Sequence, residues 1–136
     1  MASIAIKRVY EKRAPSDGIR ILVDRLWPRG VSKAAAGLDF WCKEVAPSTA
    51  LRTWFGHRED RFTDFKKRYL LELRSNPAVP QLVAKIGRRR ATLLYAAHDE
   101  TVNHAVVLAG YLRNYRSRPV APASPKARTA RSGVTT

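Results

Sequence analysis

A single α/β domain, with a mainly parallel sheet of about four strands flanked by helices, is the fold class this sequence predicts. Three observations point to it. Ala91 to Ala97 reads Ala-Thr-Leu-Leu-Tyr-Ala-Ala, a nearly continuous apolar run of strand length, as expected of a central strand covered on both faces. Ile19 to Leu26 is a second strand-like run, and the polar stretch Asp24-Arg25-Leu26-Trp27-Pro28-Arg29-Gly30 breaks its end with charge and proline. Between these two lie segments whose apolar residues recur at helical spacing, and strands separated by helices favour parallel pairing.

The elements follow in order along the chain. Ile4 to Tyr10 alternates weakly and predicts a first strand, and Glu11 to Gly18, with Pro15 and Asp17-Gly18, predicts a loop. Ile19 to Leu26 is the second strand. Ser32 is placed to cap a short helical turn through Ala36. Leu38, Phe40 and Cys42 then alternate with Asp39, Trp41 and Lys43, which favours a third strand ending at Val45, with a helix as the other reading. Pro47-Ser48 opens a helix that Gly56 stops. Phe62, Phe65, Tyr69 and Leu73 share one face of a helix from about Asp60 to Arg74; Asn76-Pro77 ends it and starts another, carrying Val79, Leu82, Val83 and Ile86 before Gly87. Ala105, Leu108, Ala109 and Leu112 make the closing helix amphipathic, packed back on the sheet.

The folded body is expected to end near Tyr115, so that residues 1–115 form the domain and 116–136 a disordered basic tail. Ser117 to Thr136 is almost entirely Pro, Ala, Ser, Thr, Arg and Gly, and cannot bury enough apolar surface to offset its ordering entropy. The chain carries 26 lysines and arginines against 11 acids, a formal charge of +15. The tail does not explain it: five of those cations and none of the acids lie beyond Tyr115, which leaves 21 against 11 and a body charge of +10. A body this basic attracts polyanions, and it equally suits an arginine-rich proteome. Nucleic acid is therefore a candidate partner, bound without sequence preference. The longest basic runs, Lys66-Lys67-Arg68 and Arg88-Arg89-Arg90, fall short of a dedicated basic tract.

The lone cysteine, Cys42, excludes an internal disulfide framework and a multi-cysteine metal site, and its alternating apolar setting makes it a buried small hydrophobe. The first residues lack the apolar core of a signal peptide, and no apolar run approaches the length that spans a membrane. A cytoplasmic protein with no membrane partner is the expectation. The oligomeric state is not legible.

If the second and last strands are parallel, Asp24 to Gly30 and His98 to His104 lie at one edge of the sheet, where α/β proteins keep their ligands. The second segment leads into a helix N-terminus, whose amide groups and dipole favour an anion. Arg25 and Arg29 would supply bidentate partners for a phosphate or carboxylate, with Trp27, Asp99 and Asn103 completing the ligand-binding set. Asp24, His57 and His104 are the candidates for proton transfer or orientation. Each has a plainer explanation as well. Asp24 can pair with Arg20 or Arg25, Trp27 can cap the core, Asp99 or Thr101 can cap a helix, His57 can be solvent-exposed in a loop, and His104 can be a core-edge histidine. His57, His98 and His104 show no metal-ligand spacing, so no metal is expected. No phosphate-binding glycine loop and no nucleophile elbow occur, and no cofactor is expected.

The chain from about Ile4 to Arg113 resembles the YeaO-like branch of a widespread bacterial family, domain of unknown function 488. The resemblance rests on Arg8-Val9-Tyr10, on Asp24 to Lys33, on Ala46-Pro47-Ser48 with Leu51-Arg52 and Trp54-Phe55-Gly56-His57, and on Leu93 to Ala97 followed by Asp99 and Asn103-His104. It implies an α/β fold and carries no agreed activity. Other branches place a Cys-His-Arg arrangement in the strand-to-helix loop, where this chain has Asn103-His104-Ala105. The resemblance thus implies that cysteine chemistry is lost here.

Two functions follow as expectations. The first is a small protein that binds, or acts on, an anionic phosphate- or carboxylate-bearing small molecule; whether it is an enzyme is left open. The alternative is a basic nucleic-acid or protein interaction module without catalysis, in which the signature turn serves stability.

Overall fold

The computed structural model describes residues 3–117. Four parallel strands form one sheet: β1 (Ile4–Arg8), β2 (Ile19–Leu22), β3 (Phe40–Trp41) and β4 (Ala91–Tyr95), in the order β1-β4-β2-β3. The helices are α1 (Lys33–Ala36), α2 (Thr49–Phe55), α3 (Phe62–Arg74), α4 (Ala78–Ile86) and α5 (His104–Ser117). The sheet lies between two unequal layers. On one face Ile21, Val23, Leu93 and Tyr95 join the large core made with α2 to α5; on the other, Val9, Leu22 and Leu94 are covered by Trp27, Val31 and Leu38 of the segment around α1. Every residue of β4 is buried because both faces and both edges are occupied, which is why its sequence is continuously apolar.

Local chemistry sets the element ends. Ser48 accepts from the Leu51 amide at the start of α2, and Gly56 ends it in the left-handed conformation. The Glu72 carboxylate accepts from both the Ser48 amide (2.9 Å) and its hydroxyl (2.6 Å), tying this corner to α3. Gly18 sits at φ 66° against the Arg90 carbonyl, where a β-carbon has no room.

The structure shortens five elements. β1 stops at Arg8 rather than Tyr10, and β4 at Tyr95 rather than Ala97. β2 stops at Leu22 rather than Leu26: after Val23, whose amide still donates to Leu94, the Asp24 carboxylate instead of its backbone meets the Ala96 amide at 3.0 Å. β3 stops at Trp41 rather than Val45, because the Cys42 amide makes the last bond to Leu22 and β2 then offers no further partner. The chain winds instead into a 3₁₀ turn, Lys43–Val45, pinned by the Tyr69 hydroxyl donating to the Val45 carbonyl (2.5 Å). The expected helix from about Asp60 to Arg74 is present as α3 from Phe62, and its first residues belong instead to a 3₁₀ turn, Glu59–Arg61, that leads into it. Of the expected tail, Arg116 and Ser117 continue α5, and 118–136 lie outside the described residues. Among the described residues no helix is long and apolar enough to cross a membrane.

Candidate ligand-binding cleft

Because all four strands run the same way, the segments that leave them gather at one edge, and each signature motif has a task there. Arg8 donates from Nε to the Ala97 carbonyl (2.9 Å), fixing the exit of β4. The Val9 amide extends the pairing to Tyr95, and the Tyr10 hydroxyl reaches across to the Arg29 carbonyl at 3.0 Å. Trp27 is half-buried, donates to the Val31 carbonyl (2.6 Å) and meets Trp41 edge to face at 5.4 Å. The turn Asp24 to Gly30 is thereby held from both sides.

Asp24 and His104 face each other at the centre. The Oδ2 atom of Asp24 takes the Ala96 amide; Oδ1 is buried, makes no hydrogen bond among the described residues, and has the Nε2 of His104 3.1 Å away. That same Nε2 lies 3.1 Å from the Val23 carbonyl. The plainer reading of Asp24 as a partner of Arg20 or Arg25 is replaced by this arrangement. Arg20 belongs to Asp17, at the other end of β2, and Arg25 donates from Nη2 to the Ala46 (3.3 Å) and Pro47 (3.2 Å) carbonyls while its buried Nε has no partner among the described residues.

The two loops enclose a cavity of about 660 Å³, a volume suited to a small molecule. Its lining includes the cations Arg25, Arg29 and Arg52, the imidazoles of His57, His98 and His104, and the carboxylates Asp24 and Asp99; Phe55 and Phe65 are among its apolar walls. Every residue named as a candidate from the sequence therefore lines this one space: Asp24, Arg25, Trp27, Arg29, His57, Asp99, Asn103 and His104. Their settings differ. Arg29 and His57 are exposed, and His57 holds a left-handed backbone at φ 58° just after the Gly56 stop of α2. Asp99 is exposed and accepts from the Thr101 and Val102 amides and the Thr101 hydroxyl, which together hold its carboxyl below the usual range.

The N-cap of α5 is Asn103, not Asp99 or Thr101. Its Oδ1 accepts from the Val106 amide at 3.0 Å and its Nδ2 donates to the Asp99 carbonyl at 2.7 Å, so the buried side chain is spent at both ends on the fold. Asp99 builds the tight turn before the cap instead. Sequence reasoning missed Arg52 and Tyr10. Arg52 stands one turn beyond the Ser48 cap, a regularity that shows only once α2 is placed against the edge of the sheet. No metal-ligating cluster of three or more such groups occurs among the described residues.

A family model described as "Inactive DUF488-N3 subclade" matches residues 3–128. The chain belongs to the DUF488 family. Among DUF488 relatives, the uncharacterized protein YeaO of Escherichia coli (strain K12) is 46% identical over 113 residues, 82% of this chain and 98% of the relative. The uncharacterized protein Rv3073c of Mycobacterium tuberculosis (strain ATCC 25618 / H37Rv) is 42% identical over 109 residues, 80% of this chain and 92% of the relative. No solved structure matches the chain. The DUF488 match takes in every strand and helix described above, and so the whole frame of the cleft. Cys42, the one thiol of this DUF488 chain, is buried in the core and does not line the cleft.

Proposed function

We propose that this protein binds a small anionic molecule, carrying a phosphate or carboxylate, in the cleft at the carboxyl ends of its strands, and holds it without turning it over. One observation carries the reading. Three arginines line a single cavity, and neither of its two carboxylates is paired with them: Asp24 takes the Ala96 amide and faces His104, and Asp99 takes the amides of its own turn. Among the described residues neither Arg29 nor Arg52 pairs with a carboxylate, so their charge is available to a ligand. The word "Inactive" in the family description, and Asn103 and Ala105 on either side of His104, support binding over catalysis. The same reading places the protein in the cytoplasm, where a lone thiol such as Cys42 stays reduced.

The test is a thermal-shift screen of inorganic and organic anions with Arg29→Ala beside the parent. The parent should be stabilised by at least one anion, and the variant should lose most of that shift, because a charge-assisted hydrogen bond is worth about 1.5–3 kcal/mol. Arg29 is exposed, so the variant should melt close to the parent when no ligand is present. An Arg29→Ala protein that unfolds, together with a parent that no anion stabilises, would make the turn a structural staple and end the proposal.

A second reading, the basic interaction module, is favoured by the outer face of α2 and α3. There the Trp54 ring has the Arg61 guanidinium 5.0 Å and the Arg68 guanidinium 4.4 Å from its centre. If this face binds nucleic acid, affinity should fall steeply with added salt and differ little between sequences of equal length. A salt-independent or sequence-selective complex would exclude that mode.

A further inference from the structure

We propose that His104 presents an unprotonated nitrogen to the cleft, so that the anion it selects must bring a hydroxyl of its own; the ligand part of this inference rests on the anion-binding reading above. The argument starts from the Val23 carbonyl, which can only accept. His104 Nε2 lies 3.1 Å from that oxygen in hydrogen-bond geometry, so Nε2 carries the proton. The buried Oδ1 of Asp24, 3.1 Å from the same nitrogen, favours a proton there too, and makes Asp24 a positioning residue for the ring. In the neutral imidazole the other nitrogen, Nδ1, is then an acceptor. It makes no hydrogen bond among the described residues and belongs to a side chain that lines the cavity.

The cleft thus adds the acceptor at His104 to the donors of its arginines. The guanidinium groups of Arg25, Arg29 and Arg52 offer only donors, which any oxyanion satisfies. Nδ1 of His104 offers only a lone pair. An anion without a proton would set one of its oxygens against that lone pair, whereas an anion with an O–H satisfies both demands at once. The ligand class is accordingly an oxyanion with its own hydroxyl: a phosphate that retains one P–O–H, or a carboxylate bearing a neighbouring alcohol. A site that hydrogen-bonds a hydroxyl rejects the analogue lacking it, because once the ligand has displaced water from Nδ1 that nitrogen is otherwise left unpaired.

Two matched pairs of probes test this on the full chain at pH 8, above the ordinary imidazole range. Inorganic phosphate and sulfate have the same shape and the same charge there, and only phosphate keeps a proton; glycolate and acetate differ only by the hydroxyl. Titration calorimetry should show phosphate bound roughly tenfold more tightly than sulfate, and glycolate more tightly than acetate, by the size of one hydrogen bond to a charged ligand. In His104→Leu the preference within each pair should vanish while both members still bind. Nitrogen-15 spectra of the unliganded parent should show His104 protonated at Nε2. A spectrum with the proton on Nδ1, or a parent that binds sulfate as tightly as phosphate, overturns this inference while leaving the arginine site standing. A parent that binds none of the four probes overturns both.

Discussion

Replacing Asp17 by alanine should cost the fold about 3–5 kcal/mol, the range found when one partner of a buried ion pair is removed and the other is left behind. Asp17 is 5% exposed and sits just before β2, where its carboxylate takes the Lys7 ammonium at 2.7 Å, the Ala14 amide at 3.0 Å and the guanidinium of Arg20. Its own carbonyl accepts from the Thr92 hydroxyl of β4 at 2.7 Å. The side chain thus joins β1, β2 and the loop between them, and its backbone reaches β4. Arg20 is 2% exposed, and without Asp17 its Nη1 would lose its carboxylate inside the protein, although its Nε and Nη2 would keep the Ala36 carbonyl. Burial alone would raise the Asp17 carboxyl, but the Lys7, Ala14 and Arg20 donors outweigh it and hold the group below the usual carboxylate range. A depressed value means that the stabilisation is complete above about pH 4, where the unfolded carboxyl is ionised, and is lost as pH falls through the folded value. Urea midpoints at pH 7 and at pH 3 check both statements. The parent should lose stability on acidification, and Asp17→Asn should be weaker at pH 7 but less sensitive to acid. A variant as stable as the parent at pH 7 would mean that desolvation cancels the whole cluster.

Phe65→Ala is expected to be comparably severe, at about 3–5 kcal/mol for removing a buried aromatic side chain. Phe65 is 1% exposed, stacks on Phe55 with ring centres 4.2 Å apart, and lies 5.6 Å from the Tyr69 ring. It also contributes to the wall of the cleft, so the cavity left by truncation would open towards the site rather than collapse. Phe65→Leu should recover most of the loss, since it keeps the volume nearly filled. Denaturation with an unchanged slope and a lower midpoint would confirm the effect. A loss below about 1 kcal/mol for Phe65→Ala would show that the aromatic stack is not part of the cooperative core.

How far these features were legible depended on whether their cause was local. The capped start of α2 at Ser48, its glycine stop at Gly56, and the buried β4 follow from residue types and short spacings, and all three are present as expected. The ends of β2 and β3 were not legible, because a strand lasts only as long as its neighbour, and β2 loses its backbone pairing where the Asp24 side chain takes over. The gathering of Asp24 to Arg29 with Asp99 to His104 followed from one topological assumption, parallel strands, and the sheet has that topology. What the sequence could not convey was the division of labour within those segments. Asn103 and Asp99 compete for the same capping task, and only the helix start at His104 decides between them. Arg25 looked like a ligand arginine, yet one of its amino groups is spent on the Ala46 and Pro47 carbonyls.

The Tyr10 hydroxyl, bonded to the Arg29 carbonyl, is a small contact with a mechanical meaning. Tyr10 follows β1 at the outer edge of the sheet, whereas Arg29 follows β2, and β4 lies between those two strands. The tether therefore works as a strut spanning a gap, not as a link between neighbours. A rim braced in this way resists being pried wider, so under the proposed ligand-binding reading the doorway would sort guests by size before any chemistry inside it is consulted.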